Sequence, residues 1–223
     1  MGRNEARLTG VAEECIRRGA AVDAMLSDVR DRARMQDLIE HFERRHGTDL
    51  VFANAGVTGG ARANSVLEPS ELALVLMETN VQGVMNTIHP LFEPMLARGH
   101  GQIVLVGSLA GFVTLPDAPS YCASKHAVLT YGLALREAVR HRNIKVNVVC
   151  PGYVRTPMSD QLAAWKILEI SAEDAAARIA RGIERNRPII AFPPILGWLS
   201  RFGGILPDWL LQFGSRPFRF KVK

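Results

Sequence analysis

The chain has 223 residues, 48% of them hydrophobic and 22% charged, which suits one globular domain with a full core and excludes a disordered or low-complexity protein. The net charge of +5 is local: residues 181–223 hold eight Lys/Arg against Glu184 and Asp208, and the rest of the chain sums to −1. A basic nucleic-acid-binding surface over the body is therefore excluded, and no nucleic-acid partner is expected. Cys15, Cys122 and Cys150 are too few and too scattered for a disulfide framework or a zinc site. The six histidines show no HExxH-like spacing, so metal-dependent hydrolysis is disfavoured. Met1 is followed by a polar segment rather than an apolar leader, and no run of 18 apolar residues occurs, so a cytoplasmic location is expected.

In chain order, Leu8, Val11, Ala12 and Cys15 recur at helical spacing, with Asn4 as N-cap and Gly19 as stop. "AAVDAMLSDV" predicts a short strand over 20–26 that ends at Ser27-Asp28. Residues 31–46 predict a second amphipathic helix closed by Gly47, and "DLVFANAG" a strand over 49–53 running into a turn. A long helix over about 68–98 follows, then the strand "GQIVLVGS", a helix over 119–142 and the strand "IKVNVVCPG". Ser171 opens a further helix, with Asp174 at the capping-box position, and "RPIIAF" is the last strand. Continuously apolar strands alternating with helices predict a doubly wound α/β fold with a parallel sheet covered on both faces. Ligands bind such sheets at the carboxyl ends of the strands. Those ends carry Asp28, Asn54-Ala55-Gly56, Ser108 and Pro151-Gly152.

"YCASK" sets Tyr121 and Lys125 four residues apart, on one helix face about one turn from each other. An ammonium close to a phenol favours the phenolate and is expected to lower its pKa from about 10. A tyrosine tuned this way serves as general acid or base. Ser108, at a strand end, can orient a substrate oxygen. Asn80 lies inside a helix, where a short amide is a poor helix former. Each signal alone is weak: a Tyr-x-x-x-Lys is more often a surface pair, a strand-end Ser a turn residue, and "NAG" a plain turn.

In combination, "DV" at 28–29, "NAG" at 54–56, Asn80, Ser108, "YCASK" at 121–125 and "PGYVRTPM" at 151–158 resemble the short-chain dehydrogenases/reductases of the Tyr-x-x-x-Lys type. The match runs from residue 3 to about residue 192 and implies a single NAD(P)-binding Rossmann-like domain over 1–223. The resemblance gives Tyr121 the proton transfer at a carbonyl or secondary alcohol. It gives Lys125 the Tyr121 pKa, the nicotinamide ribose and a proton relay. It gives Ser108 the substrate oxygen and Asn80 a relay water. Asp28 and Val29 would contact the adenine, and Asn54, Ala55 and Gly56 would shape the adenosine side. Pro151, Gly152, Val154 and Thr156 would hold the nicotinamide. Arg3 stands where a basic residue suits the 2′-phosphate of NADP, with NAD as the alternative cofactor. The helices over 68–98 and 119–142 would form a homodimer or homotetramer contact.

The resemblance fails at the start. The family fold opens with a strand, a TGxxxGxG turn, a helix and a second strand, and residue 3 already corresponds to the end of that unit. Neither Thr9-Gly10 nor Thr58-Gly59 begins the required spacing. The turn would supply backbone N–H groups to the pyrophosphate. The Rossmann-like sheet is thus expected to lack its first two strands, leaving the 20–26 strand without a neighbour, or the chain is not the whole natural protein. A non-catalytic remnant, or a dimerising scaffold with impaired cofactor binding, is the alternative to an NADP-dependent oxidoreductase. Residues 189–223 are apolar and aromatic, broken by prolines and glycines, and end in "RPFRFKVK". They read as a substrate lid, hinting at a hydrophobic small-molecule substrate, or as a peripheral membrane contact through Trp198, Trp209 and the basic end.

Overall fold

The computed structural model describes residues 1–62, 65–163, 168–194 and 221–222. The helix α1 (Glu5–Arg17) starts as expected, with the Asn4 side chain accepting from the Arg7 amide. The helix α2 (Arg32–His46) is capped by Asp31 and ends at Gly47, whose φ of +69° suits glycine. Then come β1 (Leu50–Ala53), α3 (Ser70–Met77), α4 (Gly83–Ile88), α5 (Phe92–Arg98), β2 (Gly101–Val106) and α6 (Pro119–Ala138). They are followed by β3 (Ile144–Pro151), β4 (Leu162–Ala163), α7 (Ala172–Glu184), β5 (Ile189–Phe192) and β6 (Lys221–Val222). Among the described residues β1, β2, β3 and β5 form a four-stranded parallel sheet in that order, and β4 pairs antiparallel with β6.

The strands are apolar on both sides because both faces are covered. Ile103, Leu105, Val146, Val148 and Cys150 pack with Met35 and Ile39 of α2, Val84 and Ile88 of α4, and Val128 of α6. The alternate residues Val104, Val149, Ile190 and Phe192 pack with Ala175, Ile179 and Ile183 of α7. Val148↔Ile189 and Leu105↔Val148 fix the register that keeps these sets apart.

The structure corrects the expected elements in three places. The 68–98 helix is broken. A π-helical turn (Glu78–Gln82) inserts after α3, and a 3₁₀ turn (His89–Leu91) follows α4, where Pro90 has no N–H to continue the ladder. The 119–142 helix ends at Ala138, with a 3₁₀ turn (Arg140–Arg142) after it. The 20–26 strand does not join the sheet. Its partner is Gly2, through one parallel bridge to Leu26 and the bonds Gly2 N–H to Met25 O and Ser27 N–H to Gly2 O. Among the described residues no strand stands between this segment and β1, so its other backbone groups have no ladder there to enter. The consequences are visible next to it: α1 buries no residue, and Leu50 and Phe52 of the edge strand β1 stay 49% and 37% exposed. Of the 189–223 segment, Trp198, Trp209 and the rest of 195–220 lie outside the described residues.

Gly132 lets α6 lie against the sheet: a Cβ there would stand 2.5 Å from Val148 Cγ2 and 2.7 Å from Leu105 Cδ1. Valine on a strand has little rotamer freedom with which to give way. Gly132→Ala is expected to destabilise the fold by about 1–3 kcal/mol by overpacking, read as a lower urea midpoint with an unchanged slope. An unchanged or higher midpoint would remove the close-packing account.

Candidate active site

The π-helical turn is what delivers Asn80. An inserted residue widens the helix locally and turns Asn80 inward, where it is fully buried. Its Oδ1 accepts from the Val57 amide at 2.8 Å, and its Nδ2 donates to Val57 O at 3.0 Å and to Ser124 Oγ at 3.0 Å. Ser124 Oγ in turn donates to the Tyr121 carbonyl at 2.8 Å. One amide therefore ties the turn after β1 to the first turn of α6. Gly56 fits between them, since a Cβ there would lie 3.3 Å from Asn80 Oδ1 and 3.4 Å from Lys125 Nζ.

Lys125 is 5% exposed, and its Nζ donates to Val106 O at 3.1 Å, at the end of β2. Ser108 and Thr58 stand near enough to the Tyr121 hydroxyl to hold its pKa down, and Tyr153 near enough to push it up. Ser108 Oγ also accepts from the Ala110 amide at 3.1 Å, which fixes the hydroxyl at the start of a 3₁₀ turn (Leu109–Phe112). That turn packs on α6 at Gly111, where a Cβ would stand 2.8 Å from Lys125 O. The structure thus brings Asn80, Ser108, Tyr121 and Lys125 into one cluster.

The direction expected for the Tyr121 pKa is corrected. The Lys125 ammonium stands 5.9 Å from the Tyr121 ring centroid, over the ring, and its hydrogen bond goes to a carbonyl. Burial pushes the phenol above its ordinary value, opposed by the nearby Ser108 and Thr58 hydroxyls. Burial also pulls Lys125 down from 10.5 to about 8. One cause, desolvation, moves both groups toward their neutral forms, with Lys125 buried and Tyr121 half-buried.

The residues expected around a dinucleotide fall into separate groups. Pro151 and Gly152 end β3, the Gly152 amide donates to Phe192 O at 2.7 Å, and a Cβ on Gly152 would lie 3.2 Å from Leu109 Cδ1, beside Ser108. Val154 bridges to Ile170, and Thr156 Oγ1 donates to Val154 O at 3.3 Å. Asn54 and Ala55 are exposed at the end of β1. Val29 packs on Gly83, where a Cβ would lie 2.6 Å from its Cγ2, and its carbonyl accepts from Asn86. Arg30 grips the Asp28 carboxylate with contacts down to 2.8 Å and holds its pKa at about 2, while Arg3 reaches it only at 3.5 Å. By the resemblance Lys125 would meet the nicotinamide ribose, and Asp28, Val29 and the turn at 54–56 the adenosine side. No described residue forms the glycine-rich turn that would meet the diphosphate between them.

Sequence reasoning missed Thr58, Ser124 and Tyr153. Thr58 carried a signal, being two residues past Gly56 in the same strand-end turn. Ser124 lies inside "YCASK", but its role depends on Asn80, 44 residues away. No group of three metal-binding side chains occurs among the described residues.

A parallel α/β sheet with a tyrosine, a buried lysine and a serine gathered at its strand ends defines a Rossmann-like oxidoreductase. The family model for short chain dehydrogenases matches residues 1–167. The oxidoreductase UcpA of Escherichia coli is 32% identical over 195 residues, covering 86% of this chain and 72% of that protein. A gluconate 5-dehydrogenase from Burkholderia cenocepacia, solved in complex with NADP and tartrate, is 29% identical with a TM-score of 0.63 over 71% of this chain and 62% of that one. A short-chain dehydrogenase from Sphingobium yanoikuyae in complex with NADPH, 20% identical, has the same fold with a TM-score of 0.77 over 94% and 83% of the two chains. The chain belongs to the short-chain dehydrogenase/reductase family, enzymes acting on CH–OH or C=O groups.

The buried lysine has a measurable signature. The unfolded chain keeps a proton on this amine up to about pH 10.5, the folded chain only up to about pH 8. Between those limits the unfolded state binds more protons, so this group makes stability rise with pH. The rise is about 3 kcal/mol across the window. The difference in unfolding free energy between wild type and Lys125→Met is expected to shift in favour of wild type by that order from pH 8 to pH 10.5. Parallel curves would show that the ammonium is not desolvated.

Proposed function

We propose that the chain catalyses hydride exchange between a nicotinamide cofactor and a carbonyl or secondary alcohol, with Tyr121 as general acid/base. The observation that supports this most directly is the pairing at Tyr121: Ser108 stands near enough to its hydroxyl to hold the phenol pKa down, and Lys125, one turn along α6, is buried with its Nζ 5.9 Å from the Tyr121 ring centroid. A bound nicotinamide nucleotide supplies the hydride chemistry. The residues of the chain then have defined tasks. Ser108 and Tyr121 share the substrate oxygen. Tyr121, kept protonated by its surroundings, gives its proton to that oxygen as a carbonyl is reduced and takes one back in the reverse direction. Lys125, with a pKa near 8, exchanges protons near neutral pH and reloads the phenol. Asn80 fixes the backbone beside Gly56 and, through Ser124, the carbonyl of Tyr121.

NADP is the cofactor this reading favours. Arg30 holds Asp28 more tightly than Arg3 does, at 2.8 Å against 3.5 Å, so the 53%-exposed Arg3 side chain can turn from this longer contact to a 2′-phosphate. The substrate is a small molecule, and the apolar stretch after residue 188 favours a hydrophobic one. Homodimerisation through the α3–α5 and α6 faces goes with the same reading. No helix among the described residues is long and apolar enough to cross a membrane. For the C-terminal stretch we favour a lid over a peripheral membrane contact. Equal pelleting with anionic liposomes, with and without residues beyond 193, is the outcome a lid requires.

A second reading has an observation behind it. With α1 burying nothing and the 20–26 segment outside the sheet, the chain alone is a scaffold of the family with weakened cofactor binding. Calorimetry with NADPH separates the two: tight binding by residues 1–223 removes the scaffold reading, and no detectable binding removes the enzyme reading for this chain.

Tyr121→Phe is expected to lower carbonyl reduction by about 10²- to 10⁴-fold with little change in cofactor affinity, measured as NADPH oxidation across a panel of ketones. A variant with wild-type turnover would end the acid/base assignment. Arg3→Glu is expected to lose preference for NADPH over NADH about tenfold or more, and a preserved ratio would place the 2′-phosphate elsewhere.

A further inference from the structure

Tyr121 occupies the first turn of α6, the part of a helix with unsatisfied N–H groups and the part that frays. The local sequence gives this turn little help. The N-cap residue Ala118 has no polar side chain, and Pro119 brings no N–H. The first backbone donor is therefore Ser120, one residue before Tyr121. Its partner comes from far away: Glu68 Oε1 accepts from the Ser120 amide at 2.9 Å and also from Ser120 Oγ. Glu68 is 52 residues upstream, in the segment just ahead of α3. A carboxylate at a helix N-terminus is favoured both by the direct bond and by the helix dipole.

Two further observations point the same way. Glu68 Oε2 is buried and has no hydrogen-bond partner, a costly arrangement for a carboxylate whose side-chain hydrogen bonds among the described residues are all to Ser120. The residues before Pro119 are held from the same direction: Asp117 O accepts from the Ala61 amide at 2.6 Å, and Gly60 lies so close that a Cβ would stand 2.6 Å from Asp117 O. The turn that carries Thr58, and Glu68 beyond it, thus hold the start of α6 from outside, while Ser124 and Asn80 hold the next turn from within.

We propose that Glu68 is a positioning residue for the reaction: its carboxylate caps α6 through Ser120 and so fixes where the Tyr121 hydroxyl meets the substrate oxygen. The role rests on Tyr121 being the acid/base. It acts through the helix end, so it governs turnover more than substrate binding.

The test uses Glu68→Ala, Glu68→Gln and Tyr121→Phe in the full chain, with tyrosine carrying ¹³C in its ring. The chain has three tyrosines, and the Tyr121 resonance is the one lost in Tyr121→Phe. In Glu68→Ala, without cofactor, that resonance is expected to broaden and move toward the position of a solvated tyrosine, while those of Tyr131 and Tyr153 stay. With NADPH and a ketone, kcat is expected to fall about 10- to 100-fold with KM within twofold. Glu68→Gln keeps an acceptor for Ser120 and is expected to restore both readings. An unmoved Tyr121 resonance with wild-type kcat overturns the proposal, and so does a shift of all three tyrosines together, which marks a general loss of structure. If Glu68→Ala does not fold, Ser120→Ala removes one of the two donors and is read in the same way, a smaller displacement supporting the proposal and none overturning it. Should Tyr121→Phe keep full turnover, the acid/base reading fails whatever the resonances do. A still Tyr121 resonance beside an inactive Tyr121→Phe fails Glu68 alone.

Discussion

The site depends on one buried side-chain amide. Asn80 has one carbonyl oxygen and two N–H donors, and all three are used within the protein: by the Val57 amide, the Val57 carbonyl and Ser124. A fully satisfied amide in a low-dielectric interior is directional and strong, whereas a half-satisfied one is costly. The contact therefore works as a lock with one closed state. It joins the turn after β1, the π-helical turn and α6, three pieces that share no sequence neighbourhood. Gly56 sits inside the lock because any larger residue would press on Asn80 and Lys125.

From that lock the electrostatics follow. Shutting water out of the cluster favours the uncharged form of every ionisable group in it, and a phenol and an amine respond in opposite pKa directions to the same desolvation. The result is an acid that keeps its proton next to an amine that can release one near neutral pH. An exposed Tyr-Lys pair would offer neither property. The ring contact between Lys125 and Tyr121 adds attraction without a salt bridge, so neither group is trapped in its charged state.

Much of this was legible in the sequence because it is local. The caps at Asn4 and Ser171, the stop at Gly47 and the continuously apolar β2 and β3 are written in short windows, and the structure has them where the pattern puts them. The cluster of Asn80, Ser108, Tyr121 and Lys125 was legible only through family resemblance, because its members meet across 45 residues of chain. What was not legible was tertiary. The break at Glu78–Gln82 is not signalled by Gly or Pro. The lowered Tyr121 pKa inferred from helical spacing ignored burial, which outweighs an ammonium directed to a carbonyl. The 20–26 strand failed because an apolar run becomes a strand only beside a partner ladder, and among the described residues Gly2 alone provides one. Thr58, Ser124 and Glu68 carry no motif of their own; each matters through a contact with a residue far along the chain.

The uncovered surface around β1 has a consequence of another kind. Val11, Ile16, Leu26, Leu50 and Phe52 all stand exposed on α1, on the segment before α2 and on the sheet edge, and that edge, with no second ladder among the described residues, is open to any extended segment that comes near. Association between chains is thus favoured at this patch, which borders the turn at 54–56. Doubling the concentration raises encounters between such patches fourfold while leaving intramolecular folding untouched, so solubility and yield depend on dilution, on temperature and on whatever chaperone or companion segment reaches the edge first.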